Sequence, residues 1–582
     1  MIKTLLAQVK EFRLVAILTP VCMLGEVICE MIIPILMGRI VDYGVMAGNV
    51  EFIIRTGAVM IVVALLGLTA GILGGFFAAK AGAGLARNLR KAMFDNIQTF
   101  SFSNIDHFST SSLVTRLTTD VTNIQTAFMM TLRMAMRAPS TMIVAMVMSV
   151  IISPRLASIY FIAVAFLAVF MGVMMRTTTR YFKQVFERYD LMNESVQENV
   201  SAIRVVKAYV REDYENKKFR NAAEQIYEMF IRAELRIVSI SPVMMGVVYS
   251  CILLISWFGA NMIVSDTLTT GNLMSLLTYC MNILMSLMML SMIFIMITMS
   301  EASARRIAEV IDEKSSLTNP ENPVMEVPDG SIRFEHVDFS YDPEASEPVL
   351  KDIDLEIRAG ESIGIIGGTG SAKSSLVNLI SRLYDVTKGR ILVGGIDVRE
   401  YDLDVLRRQV AVVLQKNVLF SGTIYENLRW GDENATDEEC RRACVLACAH
   451  EFIEKMPEGY NTYIEQGGTN VSGGQKQRLC IARALLRKPR ILILDDSTSA
   501  VDTATDAKIR KAFAEEIPDT TRLIISQRIS SVQSCDRIIV MENGRVNGFG
   551  PHEELLAGNR IYREVYESQT GEGADADFDR LT

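Results

Sequence analysis

Residues 364–375 read Gly-Ile-Ile-Gly-Gly-Thr-Gly-Ser-Ala-Lys-Ser-Ser, and this stretch decides the fold of the C-terminal half. A β-rich apolar run at 362–366 leads into it and a helix-forming run at 376–383 follows. Strand, glycine-rich loop and helix in that order are the context of a phosphate-cradling P-loop. Small residues at Gly367, Gly368, Thr369, Gly370 and Ser371 let backbone N–H groups wrap phosphate oxygens. Lys373 reaches the outer phosphates, Ser374 offers a hydroxyl to Mg²⁺, and Ser375 closes the loop. Ala372 stands where the pattern has its second glycine; the chain there is expected to be turning into the helix, where a methyl group is tolerated.

Two other stretches extend the site. The apolar run at 491–494 ends in Asp495 and Asp496, the form of a strand whose terminal carboxylate, Asp495, orients Mg²⁺. Residues 471–478, Val-Ser-Gly-Gly-Gln-Lys-Gln-Arg, are polar and let backbone amides approach a ligand closely. A helix starting there would favour an anion at its N-terminus. Taken alone, this stretch belongs to the chain's own nucleotide site. β-rich runs at 332–339, 362–366, 411–414, 491–494, 521–526 and 537–541 alternate with helical stretches, which predicts an α/β domain with a largely parallel sheet.

The N-terminal half is different in kind. Six apolar stretches, near 14–38, 55–79, 129–152, 157–176, 238–264 and 272–299, reach the roughly 20 residues that cross a bilayer. Ser153, Pro154 and Arg155 make a tight turn between the third and fourth. The long connections carry Lys80, Arg87, Arg90, Lys91 and Arg116 in one and Arg176, Arg180, Lys183, Arg188, Arg204, Lys207 and Arg211 in the other. The short ones carry Asp42, Glu51, Asp266 and Arg155. The excess of positive charge puts the long connections and both termini in the cytosol. Apolar residues recur in the second long connection at helical steps (Leu191, Val196, Val200, Ile203, Val206, Tyr209), so the spans are expected to continue as cytosolic helices. Met1 to Arg13 carries three basic residues and no cleavage site, and reads as an amphipathic helix on the cytosolic membrane face.

Domain limits follow: a membrane domain at 1–310, a proline-bearing linker at 311–330, a nucleotide domain at 331–570 and a polar tail at 571–582. A chain of 582 residues accommodates this division. The net charge of −8 argues against nucleic acid as a partner. Nine scattered cysteines lack paired spacing; Cys440, Cys444 and Cys448 lie on one helix face, as a buried stripe or, alternatively, as metal ligands. Glu26 and Glu30 share a face of the first span, where a lipid-facing charge costs about 2.5–3.5 kcal/mol. Two readings stand for them: a structural partner in Arg133 or Arg137 on the third span, or a polar substrate pathway. The sixth span is rich in methionine, from Met274 to Met299, which suits gap-filling or a loosely specified apolar ligand.

The motifs in this order resemble the ATP-binding cassette (ABC) family, and six spans before one cassette resemble an exporter-type half-transporter. The likeness covers nearly the whole chain. It implies ATP and Mg²⁺ as cofactors, with Ser374, Gln415 and Asp495 about the metal and Tyr341 stacked on adenine. Val471, Ser472, Gly473, Gly474 and Gln475 match the signature motif, and Ser499, Ala500, Val501 and Asp502 the loop through which cassettes communicate. Two short cytosolic helices, near 104–112 and 211–216 by position, would couple the membrane half to the cassettes. The implied setting is a bacterial cytoplasmic membrane, a lipid-embedded complex and a small-molecule, lipid or peptide substrate.

Two departures carry consequences. The family has glutamate after the Mg²⁺-linked aspartate, where this chain has Asp496, and histidine after the following strand, where it has Gln527. Aspartate is one methylene shorter, and glutamine carries no proton. Misplaced acid–base help costs on the order of 10²–10⁴ in rate. ATP binding, which rests on the P-loop, is expected to survive. In the family each ATP lies between one chain's P-loop and the other's signature motif, and this chain has one of each, so it must pair. The sequence resembles the degenerate-site subunit of bacterial heterodimeric multidrug-type exporters. A homodimeric exporter, an importer on the same fold and an ATP-gated or regulatory subunit are the alternatives.

Overall fold

The computed structural model describes residues 1–342, 347–496 and 501–570. By its contacts the chain forms two compact units, one of Met1–Gln98 with Thr110–Glu313 and one of Thr99–Ser109 with Lys314–Thr582.

Among the described residues, six helical segments of the first unit are long and apolar enough to cross a membrane. The first two membrane helices are Arg13–Arg39 and Val50–Ile97, and the third is Val121–Ile152. The fourth and sixth are Pro154–Ser201 and Thr270–Asp312. The fifth, Ile240–Val264, is preceded by the helix Glu212–Val238. The second and fourth have 48 residues each. At 1.5 Å per residue that is roughly twice a 30 Å hydrocarbon core, so they continue beyond the bilayer as helices. Ser153 in extended conformation and Pro154 at the first helical position turn the chain between the third and fourth.

The first and sixth helices are stitched together by groups that satisfy each other's backbone, as a low-dielectric setting requires. Tyr279 donates to the carbonyl of Met31 at 2.7 Å and Ser275 to that of Pro34 at 2.8 Å. Gly271 N–H donates to Asp42 at 2.8 Å, and a Cβ on Gly271 would lie 2.1 Å from the Gly38 carbonyl oxygen. Tyr160 of the fourth helix bonds the Leu276 carbonyl at 2.7 Å. Away from these seams, Leu65, Leu66, Leu68 and Ile72 are exposed on the second helix, a surface suited to lipid, while Met281, Met285, Met288 and Met292 are exposed on the sixth.

Three features differ from the sequence expectation. The sixth helix runs to Asp312, two residues into the stretch read as linker. The N-terminal helix Ile2–Ala7 buries Leu5 against the protein, with Val9 buried just beyond it. Thr4 bonds Asp312, and Asn88 bonds the Gln8 carbonyl, so this segment packs on the second and sixth helices as well as presenting an amphipathic face. In the second long connection the short helix is Ile203–Ala208; Val210 breaks it with φ +52° and the returning helix begins at Glu212, so the stretch at 211–216 is mostly that longer helix.

The second unit holds two main sheets. Strands β1 (Ile332–Phe339), β2 (Leu350–Ile357), β4 (Lys388–Val393) and β5 (Ile396–Asp397) form an antiparallel sheet in the order β2-β1-β4-β5. Strands β3 (Ser362–Gly367), β6 (Val410–Val413), β9 (Ile491–Asp495), β10 (Thr521–Ile525), β11 (Arg537–Glu542) and β12 (Arg545–Gly550) form the other, ordered β12-β11-β3-β10-β9-β6. It is parallel except for β12. The run at 332–339, grouped in the sequence with the other β-rich runs, belongs to the antiparallel sheet. Between β6 and β9 lies a helical subdomain with the small pair β7 (Gly422–Thr423) and β8 (Tyr463–Ile464). Its core buries Cys440 and Cys444 with Ile453, Tyr460 and Leu479. The cysteine stripe packs as core: Cys440 and Cys444 are buried in this cluster and Cys448 packs against it.

Candidate nucleotide site

β3, β9 and β10 are adjacent and in register, Ile525 facing Ile365 on one side and Asp495 on the other. Their C-terminal ends share one edge, where open α/β sheets place ligands. The P-loop leaves β3, Asp496 follows β9, and Gln527 lies two residues past β10.

Gly367 sits where a Cβ would approach the Met541 carbonyl oxygen to 2.3 Å, and Gly370 has φ +84°. Ala372 overturns the expectation made for it. It has φ +70° and ψ 24°, the left-handed conformation, at the N-cap of the helix Lys373–Ile380. The chain there is still loop, in the region that favours the glycine the pattern calls for. Lys373 Nζ donates to the carbonyls of Gly367 at 2.8 Å and Gly368 at 2.9 Å, and to Ser371 Oγ at 3.3 Å. The ammonium thus rests inside the loop it would lend to phosphate. Burial lowers its pKa, against the pull of Asp495 and Asp496.

Ser374 lies close enough to Asp495 to favour its charged carboxylate. Burial pushes the Asp495 carboxyl up and Asp496 adds to this, while Ser374 and Lys373 pull it back. A hydroxyl and a buried carboxylate are hard oxygen donors of the type Mg²⁺ takes, so these residues fit the metal. Bound there with ATP, Mg²⁺ would neutralise phosphate charge. Gln415 is exposed after β6.

Tyr341 is 47 % exposed, and its hydroxyl lies 2.9 Å from Ser375 Oγ. Asp496 has φ +46°, and its N–H donates to the Ile525 carbonyl at 3.1 Å. Gln527 is exposed; its carbonyl accepts from Gln569 Nε2 at 2.8 Å, and Gln569 Oε1 accepts from Ile529 N–H at 2.8 Å. Gln569, in the helix Arg560–Thr570, thereby pins the loop of Gln527. Nothing in the sequence singled it out, since its partners are backbone groups far away in the chain.

Ser472 is the N-cap of the helix Gly473–Leu485 in a reciprocal capping box: its Oγ accepts from Gln475 N–H at 3.3 Å and Gln475 Oε1 from Ser472 N–H at 2.9 Å. Val471 is buried, Gly473 is exposed and Gly474 half-buried. Arg478 braces the turn, bonding the carbonyls of Gly474 (3.2 Å) and Cys448 (2.8 Å) over the Phe452 ring. Ser499 and Ala500 lie outside the described residues, as does the tail at 571–582. Val501 is buried and its carbonyl accepts from Arg528, while Asp502 caps the helix Thr503–Glu516.

In the first unit, Arg137 Nη1 lies 3.1 Å from Glu26 and Nη2 3.2 Å from Glu30. A Cβ on Gly71 would stand 3.0 Å from the Glu26 carboxyl carbon, so the second helix backs the pair.

A multi-pass helical membrane unit joined to a P-loop nucleotide domain defines a membrane protein driven by nucleotide. The chain belongs to the ABC transporter family: residues 16–288 match the ABC transporter transmembrane region and residues 350–499 the ABC transporter domain. It is 38 % identical to the ABC transporter ATP-binding protein YfiB of Bacillus subtilis (strain 168), over 98 % of this chain and 99 % of that one. It is 31 % identical to an ATP-dependent lipid A-core flippase of Desulfotalea psychrophila, over 84 % and 85 %. Its fold matches a bacterial Atm1-family ABC exporter solved with ATP bound, with a TM-score of 0.82 at 23 % identity over 97 % and 99 %. It is an ABC transporter chain with one transmembrane region and one ATPase domain, on the fold of an exporter.

Proposed function

We propose that this chain is the degenerate-site subunit of a heterodimeric ATP-driven exporter. Its own P-loop site holds ATP and hydrolyses it slowly, and its signature residues Val471 to Gln475 complete the competent site of a different half-transporter. The observation that carries this is the pairing of changes at one sheet edge: Asp496 at the end of β9 and Gln527 beyond β10, beside a P-loop with Lys373, Ser374 and Asp495 in place. A general base must come within about 2.6–3.2 Å of its proton. The shorter side chain of Asp496 draws back from water attacking a phosphate held by the P-loop. ATP clamps the cassettes together, and hydrolysis at the competent site resets them. The slower site stays occupied longer and biases the ensemble toward closure.

The substrate class is amphipathic: drugs, lipids or peptides. The exposed methionines of the sixth helix and the relation to a lipid A-core flippase support it, and Glu26 with Glu30, only partly neutralised by Arg137, favours a cation. Both termini lie in the cytosol of a bacterial cell, on the charge asymmetry of the connections. The test is co-purification of the partner chain, then ATPase assays of the reconstituted pair. Ser472→Ala or Gly474→Ala should abolish nearly all turnover, and Asp496→Asn should cost far less; the opposite ranking refutes the assignment.

A further inference from the structure

The short cytosolic helix Phe102–Phe108 is covalently continuous with the membrane helices yet packs within the second unit. Its N-terminus is fixed by a capping box between Ser101 and Asn104 and tied to the linker, with Ser101 Oγ 2.7 Å from Ser316 Oγ and Asn104 Oδ1 accepting from Ser316 N–H at 3.2 Å. It is also attached to Tyr384, four residues past the helix that follows the P-loop. The Tyr384 hydroxyl donates to Asp106 Oδ2 at 2.7 Å, and its ring meets Phe102 edge-on at 6.0 Å. The same ring packs edge-on against Tyr341 at 5.1 Å, and both rest on the buried Phe339 at 5.7 and 4.7 Å. A continuous run of packed groups therefore joins Tyr341, beside Ser375 of the P-loop, to Asp106.

We propose that Tyr384 is a positioning residue that transmits occupancy of the adenine side of the site to the helix Phe102–Phe108, through its ring contact with Tyr341 and its hydrogen bond to Asp106. The inference rests on the nucleotide-binding reading of Tyr341 and the P-loop. A base laid on Tyr341 fixes that ring, and the edge-on contact offers Tyr384 one orientation against it. The phenol then holds Asp106 at one place on the helix. Burial and the adjacent carboxylate raise the phenol's pKa, so the hydroxyl remains a donor throughout the physiological range. A packed run becomes a coupling path only if both ends bias it, and that is measurable.

The measurement is amide hydrogen exchange of the full chain in lipid nanodiscs with its co-purified partner, with and without Mg²⁺-ATP. In the wild type, ATP should slow exchange both at 367–375 and at 102–108. Tyr384→Phe, which keeps the ring and loses the hydroxyl, should cut the response at 102–108 at least threefold while leaving that at 367–375. Asp106→Ala should do the same, and Asp106→Asn, whose amide oxygen still accepts, should restore it. A merely structural role would shift basal exchange and leave the ATP-dependent difference. Slowing at 367–375 with an undiminished response at 102–108 in Tyr384→Phe overturns the inference alone. No slowing at 367–375 in the wild type overturns the nucleotide reading, and this inference with it.

Discussion

Ser374 of the P-loop helix acts on the carboxyl of Asp495 at the end of β9, drawing down a pKa that burial chiefly raises. A metal must displace any proton held there, so affinity for Mg²⁺-ATP should fall as pH is lowered, from a pH above the usual carboxylate range near 4. Titrating Mg²⁺-dependent binding of a fluorescent ATP analogue to the full chain across pH checks this. Asp495→Asn should bind more weakly and lose that part of the pH dependence. An identical pH profile in both proteins would count against a role for Asp495 in the metal site.

Asp496→Glu combined with Gln527→His should raise turnover of the assembled pair. Misplaced acid–base help costs on the order of 10²–10⁴ in rate, so the gain should appear specifically at the site built on Lys373. Suppressing the partner's own P-loop by mutation isolates that site. No gain in that background contradicts the slow-site assignment.

Ala372→Gly should stabilise the P-loop locally. Left-handed alanine costs about 1–2 kcal/mol, and glycine's extra chain entropy returns roughly 0.5–1 kcal/mol of that. A net gain of about 0.5–1 kcal/mol should show as slower hydrogen exchange across residues 362–380 in the full chain. Faster exchange would mean that the methyl group makes packing contacts worth more than the backbone strain.

Arg137→Met leaves Glu26 and Glu30 four residues apart without their shared cation. An uncompensated charge in a span costs on the order of 2–3 kcal/mol, enough to lower the yield of folded protein in membranes. Adding Glu26→Gln and Glu30→Gln should recover folding. If the pair also serves the substrate, the recovered triple variant should transport a cationic amphiphile poorly while still hydrolysing ATP.

The membrane helices were legible because a run of twenty apolar residues has few other fates in a chain that also contains Arg and Lys at its ends. The P-loop was legible for a related reason: phosphate binding uses backbone amides, and backbone exposure writes itself locally as glycine and serine. The expectations for Asp495, Lys373 and Ser374 came from spacing and motif order alone. The conformation of Ala372 did not, because whether a residue is the last of a loop or the first of a helix depends on the strand end that anchors it. That strand β1 joins a separate antiparallel sheet was not legible for a similar reason, since an alternating apolar run has the same pattern in a parallel or an antiparallel partner.

What the sequence by itself determined is therefore what short-range chemistry dictates: six spans, a glycine-rich loop between a strand and a helix, an apolar strand ending in Asp495 and the departures at Asp496 and Gln527. Only the tertiary structure decided which groups share a bond across the chain. Arg137 rather than Arg133 takes both glutamates. Gln569 holds the loop of Gln527, and Tyr384 bridges Tyr341 to Asp106 across 278 positions of sequence. Such pairings depend on distances set by packing of whole helices and sheets, which no local pattern of residues contains.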